Sequence, residues 1–375
     1  MHYTLHLTNS CNFACTYCYV NHENTKVMSR ETTRKAVDLA AQNPRASTGI
    51  VFFGGEPLLC KDLIYETIEY ARWKEKQADC RFYFKITTNG LLLDEEFIKL
   101  SMKEDIFIAL SHDGVKEAHD KHRIDISGNG TFTRLSEKIN LLLHNRPYAP
   151  VLMVVTPETV EYFADSVTYL YNKGFRYIIP SLNYAAAWTK GDMKILKNNY
   201  EKLAELYFER TLREDKFYLS PFDVKMSSHI NGDSYCHERC ELGRKQISVS
   251  PEGDLFPCVQ FVGDNNYCIG NVNKGIDKDI QNRLYQLNEE EKESCVDCAI
   301  RKRCNHYCGC MNKQSTGSID KVSPVLCSHE KLLIPIADKL AERLYKRRNA
   351  MFIQKQYNEM YPMLSLIEDR TNAVK

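Results

Sequence analysis

Up to about residue 213, short apolar runs alternate with longer stretches in which apolar positions recur every three or four residues. Residues 2–8 are β-prone and alternate in polarity, which predicts a strand running straight into Cys11. Gly49-Ile50-Val51-Phe52-Phe53 is a solid apolar run, the mark of a buried strand, and it ends on Gly54-Gly55-Glu56-Pro57. Further strands are predicted over 82–88, 105–110, 150–156 and 175–182. Between them, helical spacing covers 62–77, 94–103, 131–144, 159–173 and 192–213, and Ser29 ahead of Thr32–Ala40 reads as an N-capped helix. Strands alternating with helices are the signature of parallel β/α units. Six units are too few to close an eight-stranded barrel. The expected fold is therefore α/β, an open, partial (β/α)6 TIM-like barrel with its functional groups at the carboxyl ends of the strands. Cys11, Gly54, Thr88, Ser111, Thr156 and Asn183 all fall at or just after such ends.

From about residue 216 helical periodicity disappears, and Gly, Asn, Asp and Cys rise. Such a segment lacks the apolar content for a core of its own, and bound metal centres would supply the missing stabilisation. A helical run returns from Lys331 to about Lys355, apolar at Leu332, Ile336, Leu340 and Leu344, and is expected to pack on the body. The expected organisation is a barrel over 1–215, a bridging and cysteine-rich domain over 216–330, and a C-terminal helical segment over 331–375.

Charge narrows the function. Lys plus Arg total 50 against 49 Asp plus Glu, which leaves no electrostatic footprint for nucleic acid or an anionic membrane. No apolar run is long enough to span a bilayer, and the N-terminus does not read as a secretory signal. A cytoplasmic location follows as the expectation, and it changes how the 15 cysteines are read. In a reducing compartment they are metal ligands rather than a disulfide framework. Three lie in the first 18 residues, Cys60 and Cys80 are scattered, and ten crowd into 236–327.

Cys11-x3-Cys15-x2-Cys18 offers three thiols to one centre, where a closed zinc or iron–sulfur site takes four. Three ligands leave a coordination position open for chemistry. With Tyr17 just before the last cysteine, the motif resembles the radical S-adenosylmethionine (SAM) superfamily. The resemblance implies a [4Fe–4S] cluster on these thiols whose fourth iron is chelated by SAM. One electron from the cluster then cleaves SAM to a 5′-deoxyadenosyl radical. It also places Tyr17 beside adenine and uses Gly54, Gly55 and Glu56 to hold the SAM ammonium, with a carboxylate completing a cation site. Thr87-Thr88-Asn89-Gly90 ends the third strand. Ser111-His112-Asp113-Gly114, followed by His119 and Arg123, resembles the Ser-x-Asp-Gly…His-x3-Arg pattern of anaerobic sulfatase-maturing enzymes. By that resemblance Ser111 would contact the ribose and Arg123 the SAM carboxylate, with Asn89 completing the cofactor site.

The downstream cysteines, Cys240-x12-Gly253-x4-Cys258, then Cys295-x2-Cys298-x5-Cys304-x3-Cys308, then Cys327, match the SPASM pattern of peptide- and protein-modifying radical SAM enzymes. The resemblance implies two auxiliary [4Fe–4S] clusters, three clusters in all. Cys236, Cys240, Cys258 and Cys308 would hold the first, and Cys295, Cys298, Cys304 and Cys327 the second. A double zinc ribbon is the alternative. Cys310 stands as a substitute ligand or a free thiol, while Cys60, Cys80 and Cys268 read as ordinary buried thiols.

One departure matters. Sulfatase-maturing enzymes carry a basic Asp after the cysteine matching Cys258, where this chain has Val259 and then Gln260. Asp223 and His229, with Gln260, are the remaining candidates for a base. The expected activity is therefore that of a peptide maturase acting on a ribosomally made precursor, forming a thioether or a carbon–carbon crosslink. Formylglycine formation is the alternative, and a non-catalytic iron–sulfur or zinc protein a third. With strand one beginning at residue 2, a separate leader-binding protein or recognition by the SPASM and bridging regions is expected. A flavodoxin or ferredoxin is the expected electron donor.

Overall fold

One parallel sheet organises the chain from residue 2 to residue 219. The structure is a computed structural model, and it describes residues 1–22, 25–42, 47–232 and 240–372. In order come β1 (His2–Thr8), α1 (Arg30–Ala41), β2 (Thr48–Gly54), α2 (Lys61–Glu75), β3 (Phe82–Thr88), α3 (Glu95–Lys103), β4 (Phe107–Ser111) and α4 (Lys116–His122). Then follow α5 (Phe132–Asn145), β5 (Val151–Val155), α6 (Phe163–Lys173), β6 (Tyr177–Leu182), α7 (Lys190–Leu212), β7 (Tyr218–Leu219) and α8 (Ser220–Asn231). Local chemistry sets several of the boundaries. Ser29 caps α1 through the Thr32 amide at 3.0 Å, Asp94 caps α3 through that of Phe97 at 2.9 Å, and Gly174 ends α6 at φ +115°.

Side chains on one face of the strands, among them Ile50, Phe52, Phe84, Ile86, Ile108 and Leu110, join Val37, Ile64, Ile68, Phe97 and Leu135 of the helices in one core. The alternate residues, Val51, Phe53, Lys85, Thr87, Ala109 and Ser111, face the other way and are half-buried, lining the lumen of a partial barrel.

The sheet is larger than six strands. Its order is β7-β6-β5-β4-β3-β2-β1, continued by β8 (Gln246–Val249) and β9 (Leu255–Phe256) from the cysteine-rich segment. β8 lies parallel to β1, with Thr4 opposite Ser248 and Leu5 opposite Val249, and it covers an edge that would otherwise be open. Strands of two and four residues carry too little period to be read from sequence.

The loss of helical periodicity after 216 is also corrected. α8 is a helix, but its buried face mixes Phe222 and Met226 with Asp223, Lys225 and Ser228, so no apolar stripe marks it. The buried Lys225 pairs with buried Glu330 at 2.6 Å, a match between distant segments. Downstream lie α9 (Lys278–Glu289), α10 (Gly309–Thr316), α11 (Pro324–Lys346), α12 (Ala350–Tyr357) and α13 (Tyr361–Asn372). α11 starts at Pro324 rather than after Cys327, so Cys327 sits near its first turn, and it packs on α7 and α8. Among the described residues no helix is long and apolar enough to cross a membrane.

Candidate active site

The loop after β1 is fastened on both sides. On one, the Gly55 amide donates to Thr8 O at 2.8 Å and the Glu56 amide to Ser10 O at 2.9 Å. A Cβ on Gly54 would stand 2.3 Å from Thr8 O, and one on Gly55 2.2 Å from Ser10 O, so only glycines allow this approach. On the other side, the Ala14 amide bonds Ile124 O at 2.8 Å and the Thr16 amide bonds His122 O at 3.1 Å. Cys11, Cys15 and Cys18 hang from the loop so held. The Phe13 amide donates to Cys11 Sγ at 3.4 Å, and Asn89 Nδ2 approaches that sulfur at 3.7 Å while bonding Asn12 Oδ1 at 2.7 Å. Burial pushes the Cys11 thiol up to about 12 and Cys15 to about 11, and it raises Cys18 too. Three thiols that burial keeps protonated call for a bound cationic centre to become thiolates. The donor set fits a metal cluster.

Around this loop lies a second layer. Asp113, just past β4, accepts from Tyr17 Oη at 2.5 Å, pairs with Arg123 Nε at 3.0 Å and takes the Val154 amide at 3.0 Å. The Arg123 guanidinium lies 5.5 Å over the Tyr17 ring. His122 links Thr16 (Nδ1, 2.6 Å) to Thr156 at the end of β5 (Nε2, 2.8 Å). Ser111 ends β4 on the half-buried lumen face. The strand ends thus bring Tyr17, Gly54, Gly55, Asn89, Ser111 and Arg123 to one rim beside the three cysteines.

Glu56 is there too, but its carboxylate is taken up by the protein itself. It is fully buried, and its carboxylate accepts from the Leu58 amide (3.0 Å), Thr88 Oγ1 (2.7 Å) and the Asn89 amide (2.8 Å). Burial raises it to about 7. The carboxylate expected to complete a cation site instead ties β2 to the end of β3, with Pro57 next to it at the start of a 3-10 turn.

Residues 5–170 match the Radical SAM superfamily. This part of the chain is a radical SAM domain, and the protein is an enzyme. It is 25% identical to the cysteine-type anaerobic sulfatase-maturating enzyme of Clostridium perfringens, over 80% of this chain and 86% of that one. Its fold matches the structure of native anSMEcpe with bound AdoMet and Kp18Cys peptide at TM-score 0.78 and 21% identity, over 92% of this chain and 100% of that one. It also matches Streptococcus suis SuiB bound to precursor peptide SuiA at TM-score 0.62 and 15% identity, over 87% and 75% of the two chains. SAM and one [4Fe–4S] cluster are the cofactors of a radical SAM enzyme, and Cys11, Cys15 and Cys18 lie within the matched residues.

The second cysteine group of the radical SAM enzyme gathers behind β8. Cys258 is buried and takes its own Val259 and Gln260 amides, while Cys240 is raised to about 12 by burial and then by the sulfurs of Cys308 and Cys258. Cys236 lies outside the described residues. Of the third group, Cys295 is buried, the Cys298 amide bonds Cys295 O at 3.2 Å, and Cys304 is raised to about 12 by burial, then by Glu330. Cys268 donates to Gly270 O at 3.3 Å, as a plain thiol does.

Of the candidate bases, Asp223 is not brought to the rim. Asp223 takes the Leu219 amide (2.8 Å), Tyr207 Oη (2.9 Å) and Lys355 Nζ (2.5 Å) among the first residues of β4, β6 and β7, at the opposite end of the barrel. His229 sits against Asp338 at 3.3 Å. Gln260 accepts from Gln314 at 2.5 Å.

A residue that sequence reading missed does reach the working end. His6 points into a cavity of about 310 Å³ walled by Tyr19 and Val20 of the cysteine loop and by Ser250, Val259 and Val262. It is 1% exposed, its Nε2 has no partner, and burial lowers it to about 3, so the ring is neutral. Only the lumen-facing parity of β1 could have signalled it.

Proposed function

We propose that this radical SAM enzyme is a peptide maturase that removes hydrogen from a side chain of a ribosomally made precursor and closes an intramolecular crosslink, a thioether first and a carbon–carbon bond second. The observation that carries the reading is Val259. It lines the cavity between the cysteine loop and the Cys258 turn. The position that carries a basic Asp in sulfatase-maturing enzymes is thus apolar and cannot take a proton itself, while Glu252 and Asp254 line the same cavity, Asp254 accepting from Asn271 Nδ2 at 2.7 Å.

When bound, SAM and its cluster supply a 5′-deoxyadenosyl radical, the hydrogen acceptor for the reaction. The chain's own residues hold and exclude. The backbone of Gly54 and Gly55 forms the turn against Thr8 and Ser10, and Asp113 fixes Arg123 and Tyr17 at the rim, where they would orient SAM. Among the described residues lining that cavity, neutral His6 is the buried side chain with a ring nitrogen that has no partner. Cys240, Cys258 and Cys308 would hold a first auxiliary cluster and Cys295, Cys298, Cys304 and Cys327 a second, accepting the electron that crosslinking leaves over. A precursor peptide, a leader-binding protein and a flavodoxin or ferredoxin donor are the proposed partners, in the cytoplasm.

The test is mass spectrometry of a candidate precursor peptide incubated with reconstituted enzyme, SAM and dithionite. A loss of two hydrogens together with one alkylatable thiol is the expected result. The similarity to a sulfatase-maturating enzyme over 80% of the chain favours a second reading, formylglycine formation. An aldehyde trapped by a hydrazide probe on a sulfatase-derived cysteine peptide would establish that reading and overturn the first.

A further inference from the structure

We propose that the cavity between the cysteine loop and the Cys258 turn receives a cysteine side chain of the peptide substrate, and that His6 selects it through a hydrogen bond between Nε2 and the substrate thiol. The inference deepens the maturase reading above and rests on it for a peptide substrate.

Two buried polar atoms on one face of the sheet carry it. β1 and β8 pair with Thr4 opposite Ser248 and Leu5 opposite Val249. Leu5 and Val249 enter the core, so Thr4, His6 and Ser248 share the lumen face. His6 Nε2 and Ser248 Oγ are both buried, and neither has a partner among the described residues. Buried polar groups in a folded chain are almost always paired, so two orphans on one face mark a surface made for a group from outside the chain. Of the two, His6 lines the cavity. The strand also changes course at this point. His6 stands opposite Phe53 on β2, and the register slips before Thr8 meets Gly54. Such a slip re-aims a side chain, and the Phe53 ring packs edge-on against the imidazole at 5.3 Å.

The other walls decide which side chain fits. At about 310 Å³ the cavity is at the small end of pockets that enclose a ligand, a size for a side chain. Val20, Phe256, Val259 and Val262 make its apolar part. The β8–β9 hairpin supplies two carboxylates. Asp254 O takes the Ser250 amide at 2.9 Å and Ser250 Oγ the Asp254 amide at 3.2 Å, which sets Glu252 and Asp254 on the cavity wall. Glu252 pairs with Lys26 at 3.4 Å and Asp254 accepts from Asn271 Nδ2 at 2.7 Å. Both carboxylates already have partners, so a cation gains little there, while an acidic side chain is repelled. A neutral, weakly polar group suits such walls. Burial lowers His6 to about 3, so its ring is neutral and offers one lone pair and one N–H. A thiol can donate to the first or accept from the second.

The test uses the full chain, reconstituted anaerobically with iron and sulfide and saturated with SAM. Three probes, N-acetylcysteinamide, N-acetylserinamide and N-acetylalaninamide, are titrated by calorimetry. The cysteine amide is expected to bind about 3- to 10-fold tighter than the alanine amide, the worth of one neutral hydrogen bond. His6→Leu should erase that preference, and His6→Gln, which keeps a polar end, should restore most of it. With a candidate precursor peptide, His6→Leu should raise KM by about 3- to 10-fold and change kcat less. Equal binding of the cysteine and alanine amides, or a preference that survives in His6→Leu, would overturn the inference. Tighter binding of the serine amide would overturn the choice of a thiol. Should His6→Leu fail to fold, the ranking of the three amides by the wild type and His6→Gln decides. Crosslinking by His6→Leu at the wild-type KM would remove this inference and leave the maturase reading standing. An aldehyde in place of a crosslink would remove the maturase reading, and the ranking of the amides would still report on His6.

Discussion

At the carboxyl end of the strands, Asp113 holds Arg123 and Tyr17; at the amino end, Asp223 holds Lys355 and Tyr207. The two sets are chemically alike, each a buried carboxylate between a cation and a tyrosine hydroxyl and each taking a backbone amide, from Val154 in one case and Leu219 in the other. Their surroundings differ. The Asp113 set borders the cysteine loop, and the Arg123 charge reaches the Cys15 thiol. The Asp223 set lines a cavity of about 590 Å³ that α12 and α13 close, where Tyr177 donates to Asp369 at 2.5 Å and Lys216 pairs with the same carboxylate at 2.6 Å. A buried, satisfied ionic triad is thus no marker of function. The end of the barrel it occupies decides, because side chains following strand carboxyl ends are carried by variable loops, while those at the amino ends hold the frame.

That contrast can be broken experimentally. The largest effect is expected from replacing Cys11, Cys15 and Cys18 together by Ala. SAM cleavage, followed as 5′-deoxyadenosine, should fall to background while about eight irons remain. Residual cleavage in that variant would move the chemistry away from this loop. At the other end, Asp223→Asn leaves Lys355 without its counter-charge, and losing one partner of a buried pair costs about 3–5 kcal/mol. Denaturant unfolding should show that loss, with SAM cleavage per folded molecule unchanged. A fall in cleavage at full stability would mean the amino end takes part after all.

Glu56 gives a pH test. Its folded value of about 7 lies above the ordinary 4.5, so the folded state holds the proton more tightly. Below pH 4.5 both states are protonated and nothing is lost. As pH rises toward 7 the unfolded chain ionises first, and stability should decline by about 3 kcal/mol before levelling off. Glu56→Gln should flatten that part of the pH profile of unfolding; an unchanged slope would assign it to another group. Smallest is Asp113→Asn, which frees Arg123 and Tyr17 without removing either. Supporting partners of this kind are worth about 10- to 100-fold in activity, and SAM cleavage should fall by that factor with the iron content intact.

The strands, their helices and the first cysteine motif were legible because each depends on residues close together in the chain. Alternation and apolar runs mark β1 to β6, and Ser29 and Asp94 mark helix starts through bonds to amides three residues on. The Cys11-x3-Cys15-x2-Cys18 spacing works the same way. What escaped depends on partners far along the chain. β8 is four residues long and becomes a strand by lying beside β1, more than two hundred residues earlier. α8 hides its helix because Lys225 on its buried face is matched by Glu330. Glu56 has the composition of a ligand, yet Thr88 and Asn89 turn it into a brace. Asp223 lies close in sequence to the cysteine-rich segment but at the wrong end of the barrel. Local spacing thus set the elements and the kind of chemistry. Packing alone, through contacts between distant segments, decided which carboxylate became a brace and which histidine lines the cavity beside the cysteine loop.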